Sequence, residues 1–262
     1  MRVIQQLRAA ALLVCLCAAT TVIARAQLSN APTLGQVLER MRAAQQAEQN
    51  RPEYTVLREY RLSGADVSTP TSRVLAVVDY VPPGNKQFAI RKTEGSDRGE
   101  KIVRRVLEHE VRMTRDSSAT DFTPSNYEFA LLGQESHRGK RCYVLGLNPK
   151  HDSPELLKGR AWVDAESFLI LRVEGAPAKT PSWWIKDLQV AIDYGRADGI
   201  WLPLSTWASA DLRLLGTHVL TSRDIQVQAA TQSAKLSRPL TVPARRKRAQ
   251  NPAVDAAVWN PQ

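Results

Sequence analysis

Residues 140–174 read KRCYVLGLNPKHDSPELLKGRAWVDAESFLILRVE and contain three apolar runs separated by polar loops. The runs are 141–147, 159–163 and 168–174. They are rich in the β-branched and aromatic residues that favour strands, and the breaks between them contain Asp, Ser and Pro. Short strands in close succession, with no long helix between them, predict an antiparallel sheet.

The same pattern extends in both directions along the chain. Further strands are predicted at 54–62, 73–81, 86–92, 101–107, 110–114, 185–194, 201–207, 212–215 and 217–227. Residues 101–107 also fit a short helix. Most connections are short and contain Gly, Pro, Asp or Asn. This organisation favours a mainly β fold, which could be a meander, a sandwich or a barrel.

Two helices are expected beside the strands. Thr33 can cap the first, whose apolar stripe consists of Leu34, Val37, Leu38 and Met41. A second, short helix is predicted at 126–132, ended by Gly133. A helix with a single apolar stripe has to pack on another element, so we expect the first helix to lie on the sheet.

The positive charge lies at the two ends of the chain. The sequence has 36 Lys and Arg against 26 Asp and Glu, a formal net charge of +10. Residues 1–26 contain three Arg and no acid, and residues 235–262 contain six basic residues and one acid. Residues 27–234 therefore carry a net charge of only +2, which disfavours nucleic acid as a partner.

The first 26 residues have the three-part layout of a secretory signal peptide. A basic start precedes the uncharged apolar segment 9–23, and Ala24 and Ala26 place small residues before Gln27. The apolar segment is shorter than the roughly 20 residues that span a bilayer, although an uncleaved anchor is the alternative. We predict export to the periplasm, a folded domain at 27–234 and a basic, disordered tail at 235–262.

Sequence motifs for catalysis or metal binding are not found. His109, His137, His151 and His218 do not have metal-ligand spacing, and no phosphate-binding glycine motif or GxSxG motif is present. Cys142 is the one cysteine left after cleavage, and its apolar strand indicates a buried core thiol. We therefore predict a protein that is not an enzyme and has no metal and no cofactor.

The aromatic residues are the strongest positive signal. All six Trp lie in the second half of the chain, and the runs 168–171 and 201–204 are apolar on both faces. Such strands must be covered on both sides. One cover could be a hydrophobic ligand, but protein on both sides is the simpler interpretation of the residues alone.

Residues 126–175 resemble the LolA/LolB-like superfamily of periplasmic lipoprotein and lipid carriers, to which the N-terminal domain of the sigma regulator RseB is related. The resemblance lies in a short helix ending in Leu-Leu-Gly at 131–133, a strand ending at Pro149, a strand ending in Val-Asp at 163–164, and an apolar strand ending in Arg-Val-Glu at 172–174. A looser match of the first half, including residues 82–88, extends it over nearly the whole mature chain. The segment DGIWLP at 198–203 is similar to a hairpin of many periplasmic relatives.

The resemblance implies an α+β fold in which a strongly curved antiparallel sheet forms an unclosed half-barrel. The N-terminal helix and one or more short helices would cover its concave face, and the groove between them would bind acyl chains. The groove residues that we predict on this basis are Phe88, Trp162, Phe168, Ile170, Trp184, Trp201 and Leu204. An arginine would hold the helical lid shut, and the candidates are Arg58, Arg61 and Arg73.

Three functions remain open at this point. The leading hypothesis is a monomeric envelope carrier of a lipid or acylated protein, which exchanges its cargo with inner- and outer-membrane proteins. The second is a sensor or regulatory domain on the same fold that binds a membrane-protein partner. The third is a hydrolase that uses scattered acids or Cys142 on a bent sheet.

The carrier hypothesis predicts that Phe168→Asp abolishes ligand loading, because a carboxylate would be buried against the acyl chain. Mass spectrometry of solvent extracts from the purified variant measures the loading. Unchanged loading would remove Phe168 from the set of groove residues.

Overall fold

Ten antiparallel strands form one sheet in the computed structural model, which describes residues 31–66, 68–115 and 120–230. The strands are β1 (Tyr54–Ser63), β2 (Ser72–Val81), β3 (Asn85–Gly95), β4 (Tyr127–His137), β5 (Lys140–Pro149), β6 (Leu157–Asp164), β7 (Ile170–Pro177), β8 (Ile185–Ala197), β9 (Ile200–Leu212) and β10 (Gly216–Ala229). The spatial order is β3-β2-β1-β10-β9-β8-β7-β6-β5-β4, with β3 and β4 at the edges. The antiparallel sheet predicted from the sequence is therefore confirmed, as is its unclosed form, which the resemblance implied.

Two helices accompany the sheet. Helix α1 (Leu34–Ala47) precedes β1, and helix α2 (Asp97–Arg115) lies between β3 and β4 in the sequence. Thr33 caps α1 as predicted. Its hydroxyl accepts from the backbone N–H of Gln36 at 3.3 Å, while the Gln36 side chain accepts from the backbone N–H of Thr33 at 2.9 Å. Neither helix is both long and apolar enough to cross a membrane.

Cross-strand pairing shows that one face of the sheet, here called the helix face, carries both helices. A continuous row of paired residues runs along this face through Leu145, Ala161, Val173, Ile192, Thr206, Ser222, Tyr60 and Val74. The first three of these pack with α1, and the last two pack with α2. Because residues alternate between the two faces of a strand, their neighbours in sequence form the opposite face.

Each helix has its own apolar cluster on the helix face. The α1 cluster joins the helix to β4–β7 and consists of Val37, Met41, Tyr127, Tyr143, Leu145, Leu147, Leu156, Ala161, Val163, Phe168, Ile170 and Val173. The α2 cluster joins the helix chiefly to β1, β2 and β9 and consists of Tyr54, Val56, Tyr60, Val74, Ala76, Val78, Tyr80, Val103, Leu107, Ile200 and Leu202. A smaller cluster on the opposite face consists of Cys142, Val144, Trp162 and Leu171, with Trp201 beside it.

The prediction of strands at 101–107 and 110–114 is wrong, since both segments belong to α2, and the alternative of a helix at 101–107 is the correct one. Val103 and Leu107 are buried at helical spacing, and Asp97 and Glu100 lie in the first turn, where acidic groups stabilise a helix. Residues 110–114 alternate as a strand would, but apolar and charged residues come in pairs at 102–107, and the i, i+4 spacing of the buried pair fits a helix.

The predicted helix at 126–132 is also wrong, because residues 127–132 form the first part of β4. The strand pairs with β5 along its length and has a bulge between Leu131 and Gly133. The bulge disturbs the two-residue alternation from which strands are recognised. Residues 212–215 form the end of β9 and a turn rather than a separate strand.

The predicted signal peptide, residues 1–26, and the tail, residues 235–262, lie outside the described residues. The last strand, β10, ends at Ala229, five residues before the predicted end of the domain. The domain limits of 27–234 stay a prediction.

Two glycines of neighbouring strands give a sharp test of the sheet. Gly159 of β6 pairs with Gly175 of β7, and a Cβ added at Gly159 would lie 2.0 Å from the carbonyl oxygen of Glu174. We expect Gly159→Ala to lower the free energy of unfolding by about 3 kcal/mol, because backbone atoms would have to move. Denaturant unfolding followed by Trp fluorescence measures the change.

Gly146→Ala in β5 is the matched control for this substitution. A Cβ at Gly146 meets only side-chain atoms of Leu132 and Ala130, at 3.5 Å or more, which is ordinary contact. Its free energy of unfolding should stay within about 0.5 kcal/mol of the unsubstituted protein. Equal losses for the two variants would contradict the close approach of β6 and β7.

Candidate functional site

A buried ion cluster connects α2 to the sheet. The Arg58 guanidinium of β1 donates to Glu110 of α2 at 2.9 Å and to Asp224 of β10 at 2.5 Å. The ammonium of Lys86 on β3 lies 2.8 Å from the other oxygen of the Glu110 carboxylate. Four elements of structure therefore meet at one arginine and its carboxylate partners.

The two carboxylates of this cluster respond to their surroundings in opposite directions. Burial alone would raise the pKa of Glu110, but the charges of Arg58 and Lys86 outweigh burial and lower this pKa to about 2. Burial also raises the pKa of Asp224, and there the single hydrogen-bonded cation Arg58 does not fully compensate. The Glu110 pairing therefore stabilises the fold above the ordinary pKa of 4.5, and this stabilisation is lost as the pH falls toward 2.

The other two candidate lid arginines lie elsewhere. Arg61 and Arg73 face each other across β1 and β2, and both bind the buried carboxylate of Glu59 on the opposite face of the sheet. Only Arg58 among the three candidates has an ion pair with a helix in the described part of the chain.

The structure distributes the seven predicted groove residues over several places. Phe88 and Leu204 border the α2 cluster, and Phe168 and Ile170 belong to the α1 cluster. Trp162 and Trp201 lie together on the opposite face. Trp184 lies in the loop between β7 and β8 and is 41% exposed. The seven side chains do not line one common cavity.

Phe168 has a packing role within the α1 cluster. It stacks on Tyr143 with ring centroids 5.9 Å apart, and the Arg40 guanidinium of α1 lies 5.1 Å from the centre of its ring. Its backbone φ of 57° lies in the left-handed region, in the tight turn before β7. The Phe168→Asp variant therefore perturbs the contact of α1 with the sheet in addition to any ligand site.

The helix face has an apolar strip in the middle of the sheet. It is formed by half-buried side chains on three adjacent strands, here called the β8–β10 strip: Leu188, Val190, Ile192, Ala208, Ala210 and Leu220. In the strand order these strands separate β4–β7, under α1, from β1–β3, under α2. Apart from Leu220, which borders the α2 cluster, these described side chains lie outside both helix-packed clusters.

Leu188, Val190, Ile192 and Leu220 lie on strands predicted from the sequence, whereas Ala208 and Ala210 fall between the predicted strands 201–207 and 212–215, and none of the six was predicted as a site residue. The alternation of Leu188, Val190 and Ile192 was a visible signal. What was missing was the register that brings Ala208 and Ala210 beside them on the same face. Aromatic residues dominated the prediction, whereas this strip is aliphatic.

Two cavities lie on the opposite face. One, of about 450 Å³, is lined by the apolar side chains of Leu169, Leu171 and Trp201 and by the basic residues Arg138, Lys140 and Arg196. The other, of about 330 Å³, is lined mainly by charged and hydroxyl side chains, including Glu59, Arg172, Asp193 and Arg223. The second is too polar to receive an acyl chain.

The described residues give little support to covalent or metal chemistry. Cys142 is fully buried in a core cluster, and burial raises the pKa of its thiol, which disfavours the reactive thiolate. No group of three His, Cys, Asp or Glu residues within 31–66, 68–115 and 120–230 is arranged to hold a metal ion.

The ion cluster predicts the effect of Glu110→Gln. We expect the free energy of local opening of α2 to fall by about 2 kcal/mol, because Arg58 and Lys86 would keep their charge without this partner. The value is below that of fully buried pairs because the Glu110 side chain is 25% exposed. Backbone hydrogen exchange in α2 should quicken about 30-fold, which mass spectrometry can measure.

Glu108→Gln is the control on the same helix, because Glu108 is exposed and two residues from Glu110. It should leave the exchange rates of α2 unchanged, and neither variant should alter α1. Equal exchange in the Glu110 and Glu108 variants would show that the ion cluster does not hold α2.

The chain also resembles known proteins at the level of fold. A domain assigned as an outer membrane lipoprotein-sorting protein from Vibrio parahaemolyticus is 12% identical, with 76% of this chain and 94% of that chain covered and a TM-score of 0.45. A DUF1329 family protein from Desulfovibrio piger is 13% identical, with 78% and 96% covered and a TM-score of 0.42. A LolA superfamily protein from Nitrosomonas europaea is 13% identical, with 77% and 95% covered and a TM-score of 0.35.

A LolA superfamily protein is thus among the matched structures. No curated protein matches the sequence. Residues 86–233 match the model of a family described only as uncharacterized protein. Since this model spans more than half of the 262 residues, the chain belongs to that family of uncharacterized proteins.

Proposed function

We propose that this protein binds a lipid, or the acyl chain of a lipid-modified protein, on the helix face of its sheet. The observation that supports the proposal is the β8–β10 strip, an aliphatic surface between the two helix-packed clusters. With strands about 4.8 Å apart, three strands give a strip about 10 Å wide between their outer axes. Such a width suits one or two acyl chains lying side by side.

Burial of an apolar chain at this site can by itself supply the free energy of binding. Burial of an acyl chain contributes about 0.8 kcal/mol per CH₂ group, so a chain of modest length supplies enough free energy for specific retention. The strip supplies apolar side chains, and the polar residues Thr206, Ser222 and Tyr60 continue the same row toward α2. A ligand with an apolar chain and a polar end matches this arrangement.

In this proposal α2, which packs beside the strip, is a movable cover whose displacement would extend the apolar surface from the strip to the α2 cluster, and Arg58 is the residue that holds it. The helix contributes the side chains of Val103 and Leu107 to the α2 cluster. It is also anchored by the pairing of Glu110 with Arg58 and Lys86, and by the hydrogen bond that the Thr93 hydroxyl of β3 donates to Glu100. A cover that is held partly by ion pairs can be displaced at a smaller cost than a fully apolar one, because the separated charges regain water.

The proposal places this activity in the periplasm, on the basis of the signal-peptide pattern in residues 1–26. The protein would act there as a monomeric carrier that receives a lipid or acylated protein from one membrane component and delivers it to another. It would use no metal and no cofactor.

The proposal predicts that Val190→Asp removes the bound lipid. The substitution places a carboxylate in the middle of the β8–β10 strip, where an acyl chain would have to bury it. The protein is recovered from the envelope without detergent and extracted with solvent, and the lipid is measured by mass spectrometry. We expect stoichiometric lipid in the unsubstituted protein and at least a tenfold loss in the variant.

Gln189→Asp is the matched control, because Gln189 is the exposed neighbour on the opposite face of the same strand. It adds the same charge and should keep the lipid. Thermal unfolding of both variants identifies any loss that results from misfolding. An unsubstituted protein that carries no lipid and binds none when it is added would refute the proposed function.

A further inference from the structure

Four large apolar side chains are exposed at one end of the sheet. Trp183 and Trp184 precede β8 and are 80% and 41% exposed, and Leu214 and Leu215 in the β9–β10 turn are 93% and 56% exposed. We call these four residues the apolar tip. Single exposed apolar residues are common on proteins, but two Trp and two Leu on adjacent loops form a patch that indicates a binding surface.

The two loops of the apolar tip are connected by hydrogen bonds. The backbone N–H of Arg213 donates to the carbonyl oxygen of Trp184 at 3.0 Å, and the Nε of its side chain donates to the carbonyl oxygen of Trp183 at 2.7 Å. Ile185 and Leu212 pair directly beneath them. The loops therefore form one surface, and both tryptophan carbonyls already have a donor.

We infer that the apolar tip inserts into the interface of a lipid bilayer. Trp side chains prefer the level of the lipid headgroups, and exposed Leu side chains gain free energy by entering the acyl region. Backbone groups that enter a membrane need hydrogen-bond partners within the protein, and Arg213 supplies them for both tryptophan carbonyls.

The charges beside the apolar tip make this binding independent of anionic lipid. Lys186 and Arg213 are balanced by Asp187 and Asp211, and the Lys186 ammonium lies 3.7 Å from the Asp211 carboxylate. The basic residues of 235–262 carry an excess of positive charge and would instead require an anionic surface. Binding to neutral vesicles therefore reports insertion of the tip without electrostatic attraction of residues 235–262 to anionic lipid.

The apolar tip is continuous with the β8–β10 strip. Strand β8 begins at Ile185, directly after Trp184, and Leu188 of the strip follows three residues later. Ala210 of the strip is two residues from the end of β9, next to the turn that carries Leu214. Membrane docking at the tip rests on the proposed function and adds the route of entry, because an acyl chain leaving the bilayer there would reach the strip along β8 and β9.

The experiment measures binding to vesicles of pure phosphatidylcholine, using the chain as it is recovered from the envelope. The test variant is the double substitution Trp183→Ala and Leu214→Ala at the tip. The matched control is Trp207→Ala and Leu132→Ala, which removes the same residue types from exposed positions on β9 and β4. We expect at least a tenfold weaker binding for the tip variant and less than a twofold change for the control.

Trp fluorescence with brominated phosphatidylcholine gives a second measurement. The unsubstituted protein and the control variant should be quenched by bromine near the headgroups, and the tip variant should not. Equal vesicle binding by the tip variant and the unsubstituted protein would overturn the inference. The inference would also be overturned if the unsubstituted protein did not bind vesicles and instead formed a dimer that the tip variant cannot form.

The outcome is distinguishable from a failure of the proposed function. The Val190→Asp variant keeps the apolar tip and should bind vesicles as the unsubstituted protein does. Lipid loading without vesicle binding overturns only the docking inference, and vesicle binding without lipid loading overturns only the proposed function.

Discussion

The pairing of β1 with β10 is the contact on which the single sheet depends. The strands β1–β3 and β4–β10 are each consecutive in the sequence, and the ladder between β1 and β10 joins them. A register shift lies between Leu57 and Arg58 of β1, and the next pair across the ladder is Arg58 with Asp224. The ion cluster that anchors α2 is thus built on the same ladder that unites the sheet.

The strand order also explains why the middle of the helix face is left without a helix-packed cluster. Strands β3 and β4 lie at opposite edges of the sheet, so the chain between them has to pass from one edge to the other. Helix α2 lies on this connection and packs at the β1–β3 side, whereas α1 packs on β4–β7. A helix on such a connection can move without breaking the strand pairing, which fits the role of a cover.

Much of the fold could be predicted from the sequence, because strands with two-residue alternation and short turns are local signals. The capping of α1 by Thr33 was equally local. Helix α2 was recognised only as the alternative for 101–107, because residues 110–114 alternate between polar and apolar types as in a strand. Strand β4 was missed because its apolar run lacks alternation at the bulge near Gly133.

The candidate site was less predictable, because it depends on which face each strand presents. Trp162 and Trp201 were attractive as groove residues for their size, yet they lie opposite to Leu204. The assignment of faces depends on register shifts between β1 and β10, between β6 and β7 and between β8 and β9, where one strand of each pair carries an extra residue. No local signal in the sequence marks those positions.

The ion cluster and the apolar strip contribute differently to the free energy of moving α2 away from the sheet. Removing Arg58, Glu110 and Asp224 from water costs free energy that their attraction only partly returns, so their net contribution to stability is small although breaking one pair is costly. An acyl chain in the strip brings only apolar contact. A ligand that contacts both the strip and the underside of α2 therefore has to outweigh only the modest net free energy by which the ion cluster holds α2. Ligand binding can then shift the equilibrium between the form with α2 packed and the form with α2 displaced.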